Sequence, residues 1–123
     1  MSQPGSAPGA AGQERFARLA QPMLTRPGVA SSTMMGLPCL RVDGRFFAAC
    51  DRRTGSLLVK LSESRVTQLI DTGCAEPFAP SGRRFREWAA IPVALARTWE
   101  PVADEALAFA GQDPSRPSGR RDR

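Results

Sequence analysis

Arg83-Arg84-Phe85-Arg86-Glu87-Trp88 sets three guanidinium groups among two aromatic rings. Guanidinium groups bind phosphate bidentately and rings stack on exposed bases, so this run is the chain's clearest chemical signal. A basic turn leading into a strand with core aromatics would read the same way. In an extended strand, alternation separates Arg84, Arg86 and Trp88 from Phe85 and Glu87. A second group, Arg41 with Phe46 and Lys60, follows from the hairpin geometry below, and Arg116, Arg120 and Arg121 lie near the C-terminus. Together, Arg41, Lys60, Arg83, Arg84, Arg86, Arg116, Arg120 and Arg121 are candidate phosphate contacts with no base-reading element beside them.

Other chemistries are poorly supplied. The chain has no histidine, which removes imidazole as general base or metal ligand. Cys39, Cys50 and Cys74 form no C-x-x-C pair, and an odd number of cysteines without an export signal reads as free thiols, mostly buried. Asp104-Glu105, Glu63, Asp71, Glu76 and Glu87 read as solvated helix and loop charges. Ser62 has only Lys60 nearby as a base, and helix capping already accounts for it. Neither a G-x-x-x-x-G-K-[ST] loop nor a G-x-G-x-x-G fingerprint is present, so no nucleotide cofactor is indicated. No catalytic residue, metal or cofactor is expected.

The charge balance gives 17 basic against 12 acidic residues, net +5, and Lys60 is the sole lysine. Such arginine bias also arises from GC-rich coding, so charge alone names no partner. A hydrophobic content of 41% in 123 residues supports one small core. No apolar run approaches the roughly 18 residues that cross a bilayer, and Met1-Ser2-Gln3-Pro4 lacks the basic start of a secretory signal. No membrane contact and a cytoplasmic location are expected.

The elements that must carry these residues lie between two segments without large apolar side chains apart from Met1: 1–12, a disordered leader, and 112–123, a disordered basic tail. Residues 13–111 form the domain. Phe16, Leu19, Ala20, Met23 and Leu24 predict a helix from Gln13 to Leu24, with Pro22 late in it. Asp43-Gly44 predicts a tight hairpin across Leu37 to Cys50, in which Val42 faces Arg45, Arg41 faces Phe46 and Leu40 faces Phe47. Leu40, Val42, Phe47 and Ala49 then share one side, and Cys39, Arg41, Phe46 and Ala48 the other. Ser56 to Leu61 reads as a third strand with Leu57, Val59 and Leu61 inward. Ser62 caps a helix over Glu63 to Thr72 that Gly73 closes. Extended segments at Ala75 to Ala79 and Arg84 to Ile91 follow, and then a helix from Trp99 to Ala110, opened by Thr98 or Glu100. The order α-β-β-β-α-β-β-α predicts a two-layer α+β fold: a five-stranded antiparallel sheet with helices on one face. The other face is left wet or open to a partner.

The segment Gly36-Leu37-Pro38-Cys39-Leu40-Arg41-Val42-Asp43-Gly44-Arg45-Phe46-Phe47-Ala48 resembles the opening hairpin of the TfoX N-terminal-like and MmcQ/YjbR-like small bacterial proteins. Leu57-Leu58-Val59-Lys60-Leu61, Glu76-Pro77-Phe78, and Arg86-Glu87-Trp88 with Ile91-Pro92 are similar to later segments of that family, covering about residues 14–110. The resemblance implies a secretion-chaperone-like α+β fold without established catalytic residues, in a family whose members are often labelled DNA-binding. The TfoX group's competence regulator carries a further C-terminal domain, and no such second domain is expected here. The expected function is that of a small non-enzymatic, DNA-associated regulatory protein with weak, sequence-independent nucleic-acid binding. A protein-binding adaptor or homodimer using the open sheet face is the alternative, and an enzyme of unrecognised type the third.

Overall fold

Asp43 and Gly44 take φ of 51° and 84°, the left-handed pair that a two-residue hairpin turn requires. They join β2 (Leu37–Val42) to β3 (Arg45–Cys50) in a computed structural model that describes residues 8–34 and 36–111. Val42 faces Arg45 and Arg41 faces Phe46 as expected, but the register then shifts, and Leu40 faces Ala48 rather than Phe47. This is a β-bulge: Phe47 and Ala48 on β3 share one place opposite β2 and both point toward the helices. Alternation without a bulge puts Ala49 on that side and Ala48 on the other. The extra residue exchanges them, so Ala49 joins the outer face.

The complete order is α1 (Pro8–Met23), β1 (Val29–Met34), β2, β3, β4 (Leu57–Lys60), α2 (Glu63–Asp71), β5 (Glu76–Pro77), β6 (Trp88–Ile91) and α3 (Trp99–Gly111). The strands form one antiparallel sheet, β1-β2-β3-β4-β6-β5. The α+β class is as read from the sequence, with six strands where five were expected. The added strand, β1, pairs along β2 from Val29 opposite Val42 to Met34 opposite Leu37. Its Ser31-Ser32-Thr33 centre has no apolar alternation because β1 is an edge strand with little to bury.

The core lies between the sheet and the helices. Phe16, Ala20 and Met23 of α1, Val66 and Leu69 of α2, and Trp99, Val102, Ala103, Ala106, Leu107 and Ala110 of α3 meet Leu40, Val42, Phe47, Leu57, Val59 and Ile91 of the sheet. Ile70 packs at the margin. Ser62 accepts the Arg65 N–H at 3.2 Å and Gly73 has φ of 80°, the two ends expected for α2. Thr98 does not cap α3. Its hydroxyl donates to the Leu95 carbonyl at 2.8 Å within a 3-10 segment, Val93–Thr98. The indole of Trp99 donates to the Ile91 carbonyl at 3.2 Å, tying the start of α3 to β6.

Helix α1 starts earlier than the apolar stripe indicates, so Pro8 to Gly12 of the expected leader are helical. Gly9 and Gly12 are the reason. A Cβ on Gly9 would overlap the Arg52 carbonyl, and one on Gly12 the backbone of Gly55, so glycine lets the helix lie directly on the β3–β4 loop. Residues 1–7 and the expected tail, 112–123, lie outside the described residues.

Candidate nucleic-acid interface

Leu40, Val42, Leu57 and Val59 face the helices, so alternation turns Cys39, Arg41, Leu58 and Lys60 to the opposite face. That outer face has an apolar floor. Cys39, Ala49 and Leu58 are 1%, 0% and 0% exposed although no helix covers them. Phe78, with the half-buried Met34, Leu37, Phe46, Phe85 and Trp88, closes over them and leaves ring surface toward solvent.

The arginine cluster sits at one end of this face, and its backbone differs from the extended strand expected over Arg84 to Ile91. Strand β6 begins only at Trp88, and the residues before it form a turn. Ser81 and Gly82 take φ of 58° and 82°, reversing the chain after Pro80. The Phe85 N–H then bonds the Phe78 carbonyl at 2.9 Å, and the Trp88 N–H bonds the Phe85 carbonyl at 3.1 Å. The Phe78 and Phe85 rings stack at 5.7 Å between centroids, anchoring the turn to the floor. Because the segment is folded rather than extended, alternation does not divide it. Arg83, Arg84, Phe85, Arg86, Glu87 and Trp88 all line one open hollow of about 460 Å³.

Lys60 lines the same hollow, because β4 pairs with β6 in the register that puts Lys60 opposite Trp88. Two candidate groups that are separate along the sequence are therefore partly one. Lys60 lies 3.8 Å from Glu87 and Arg86 lies 3.2 Å from Glu63, with all four side chains at least 38% exposed. Ion pairs this exposed are weak, so an incoming phosphate competes with them readily. Arg83 rests 5.5 Å from the centre of the Phe85 ring, and neither it nor Arg84 has a carboxylate partner among the described residues.

Arg41 is on the same face but not in the hollow. It projects from β2, two strands from Lys60, with its guanidinium 5.5 Å from the centre of the Phe46 ring. Its Nε is buried without a hydrogen-bond partner. Arg116, Arg120 and Arg121 lie outside the described residues. On the helical side, Arg65 donates to both carboxylate oxygens of Glu105, at 2.7 and 3.2 Å, and also to Gln68, so the basic side chain of α2 is held against α3. A smaller groove of about 230 Å³ between α1 and the start of α3 has Arg15, Arg18 and Glu100 at its mouth. Its single ring, Trp99, is 2% exposed and has no free face to stack on.

The remaining reactive groups are engaged or isolated. Ser62 acts as the helix cap. Burial pushes the Cys50 thiol up to about 11, with Asp51 adding to the shift, and burial raises Cys39 against the opposing pull of Arg41. Cys74 is exposed. A thiol reagent added to the native protein at neutral pH is expected to modify Cys74 quickly and the other two only on unfolding. Fast labelling of Cys39 would show that the aromatic cover of the outer face opens. Among the described residues no group of three or more metal-binding side chains converges, and no helix is long and apolar enough to cross a membrane. Comparison with protein-family models, curated proteins and solved structures finds no match to this chain.

Proposed function

We propose that this protein binds DNA without sequence preference, through phosphate contacts centred on the hollow at the β4–β6 end of the outer face. The observation that carries this reading is the convergence of Lys60, Arg83, Arg84 and Arg86 on one concavity with the half-buried rings of Phe85 and Trp88. Two carboxylates, Glu63 and Glu87, offset part of the charge through exposed pairs, which leaves Arg83 and Arg84 as the cations most open to phosphate. Phosphate contacts fix position and carry no sequence information, so affinity should depend strongly on salt and weakly on sequence. The resemblance to TfoX N-terminal-like proteins leads to the same reading, that of a non-enzymatic, DNA-associated regulatory protein.

The test is DNA affinity against salt for the full chain and for a variant with Arg83, Arg84 and Arg86 all changed to alanine. Every phosphate that the variant no longer neutralises should lower the logarithmic salt slope by about 0.9 in duplex DNA and about 0.7 in single strands. An unchanged slope would remove the hollow from the reading. The apolar floor and the half-buried Met34 and Leu37 favour a second reading, in which the same face docks a protein or a second copy of the chain. An apolar interface of that kind should survive salt that releases DNA.

A further inference from the structure

We infer that the DNA bound on this face is single-stranded, with unpaired bases stacked on Phe46 and Trp88; the inference rests on the DNA-binding reading above. Register carries the argument. Arg41 faces Phe46 across β2 and β3, and Lys60 faces Trp88 across β4 and β6. The β3–β4 ladder last pairs Ala48 with Val59, and because Phe47 and Ala48 share the bulge and both point to the helices, Phe46 and Lys60 are the next outward-facing residues past that pair on their two strands. Arg41, Phe46, Lys60 and Trp88 therefore form one row across the strands: cation, ring, cation, ring. Neighbouring strands lie about 4.8 Å apart, so the row spans about 14 Å before it meets Arg83, Arg84 and Arg86 in the hollow.

Such a row matches an unpaired polynucleotide, whose phosphates and bases are accessible together. Every base has a π-face, so rings hold it without reading its identity, while the cations beside the rings take the phosphates. A duplex hides its base faces in its own stack and is read by elements that enter a groove. Here the rings lie along the sheet, and the helices pack on its opposite side. The guanidinium of Arg41 is laid against Phe46, 5.5 Å from the centre of the ring, which sets a cation directly beside the first stacking surface.

The test titrates the full chain with an oligo(dT) of about 12 nucleotides and with a mixed-sequence duplex of similar length, at about 50 mM salt. Anisotropy of the labelled probe gives affinity, and tryptophan emission reports stacking. Tighter binding of oligo(dT) than of duplex, with emission quenched in wild type but not in Trp88→Phe, is expected. Phe46→Ala and Trp88→Ala should each weaken oligo(dT) binding at least about fivefold. Phe46→Leu keeps an apolar cover over the floor, so the same weakening in that variant, with its circular dichroism spectrum unchanged, assigns the effect to the ring face. Equal affinity for both probes, or ring variants that bind oligo(dT) like wild type, would overturn the single-strand inference and leave the DNA reading standing. Binding of neither probe would overturn both. A salt-resistant dimer that Phe46→Leu dissociates, seen together with that failure to bind, would assign the face to a second copy of the chain.

Discussion

Phe47→Ala is expected to destabilise the domain by about 3–5 kcal/mol, a large share of what a small domain holds in total. Phe47 is 0% exposed and sits at the bulge, where β3 turns two consecutive residues toward the helices. Ala48 beside it is too small to fill the space the ring leaves, so a cavity remains and adds to the forfeited transfer energy. Phe46, the adjacent ring, lies half-buried on the outer face, and Phe46→Ala should cost only about 1–2 kcal/mol. Urea titration of both variants is the measurement: the Phe47→Ala midpoint should fall much further, with a similar m-value. Equal costs would mean that the two rings share one environment, contrary to the bulged register.

Gly12→Ala should destabilise by about 1–3 kcal/mol, against the sign that helix propensity alone assigns. In an open helix, replacing glycine by alanine gains about 1 kcal/mol. At Gly12 the new Cβ would overlap the backbone of Gly55, and neither main chain can rotate away as a flexible side chain would. Helix α1 must lift off the β3–β4 loop, and Phe16, one turn further along the same stripe, is drawn with it. Gly111 in α3 provides the control, because nothing lies within 4 Å of its Cβ position. Thermal denaturation of the two variants should therefore give shifts of different size, with Gly111→Ala near neutral. A Gly12→Ala protein as stable as wild type would show that α1 does not rest on the loop.

Features with a local cause are legible in the sequence. The Asp43-Gly44 turn, the Ser62 cap, Gly73, and the apolar stripes of α2 and α3 each depend on residues a few positions apart, and each lies where the pattern indicates. Features with a distant cause are not. Gly9 and Gly12 read as linker because the loop that makes them necessary is about forty residues away. The exchange of Ala48 and Ala49 follows from a one-residue slip that two alanines cannot signal. Strand β1 lacks the alternation that marks a strand, although Gly36 just before Leu37 is a turn signal consistent with a hairpin there. Within the site, the residue types are legible and their grouping is not. Alternation divides Arg83 to Trp88 only in an extended strand, which this segment is not, and Lys60 joins the group through the non-local pairing of β4 with β6.

The turn that carries the arginines is held by main-chain hydrogen bonds and by the stacked pair Phe78 and Phe85, none of which involves a guanidinium group. Arg83, Arg84 and Arg86 are passengers on that frame, and exposed passengers can be exchanged at a cost within about 0.5 kcal/mol. Over generations, the electric field above the sheet can therefore drift from strongly cationic to neutral, or even reverse, while the chain keeps folding. A fold of this kind can change clients without being rebuilt, because selection on what it attracts and selection on whether it folds act on different atoms.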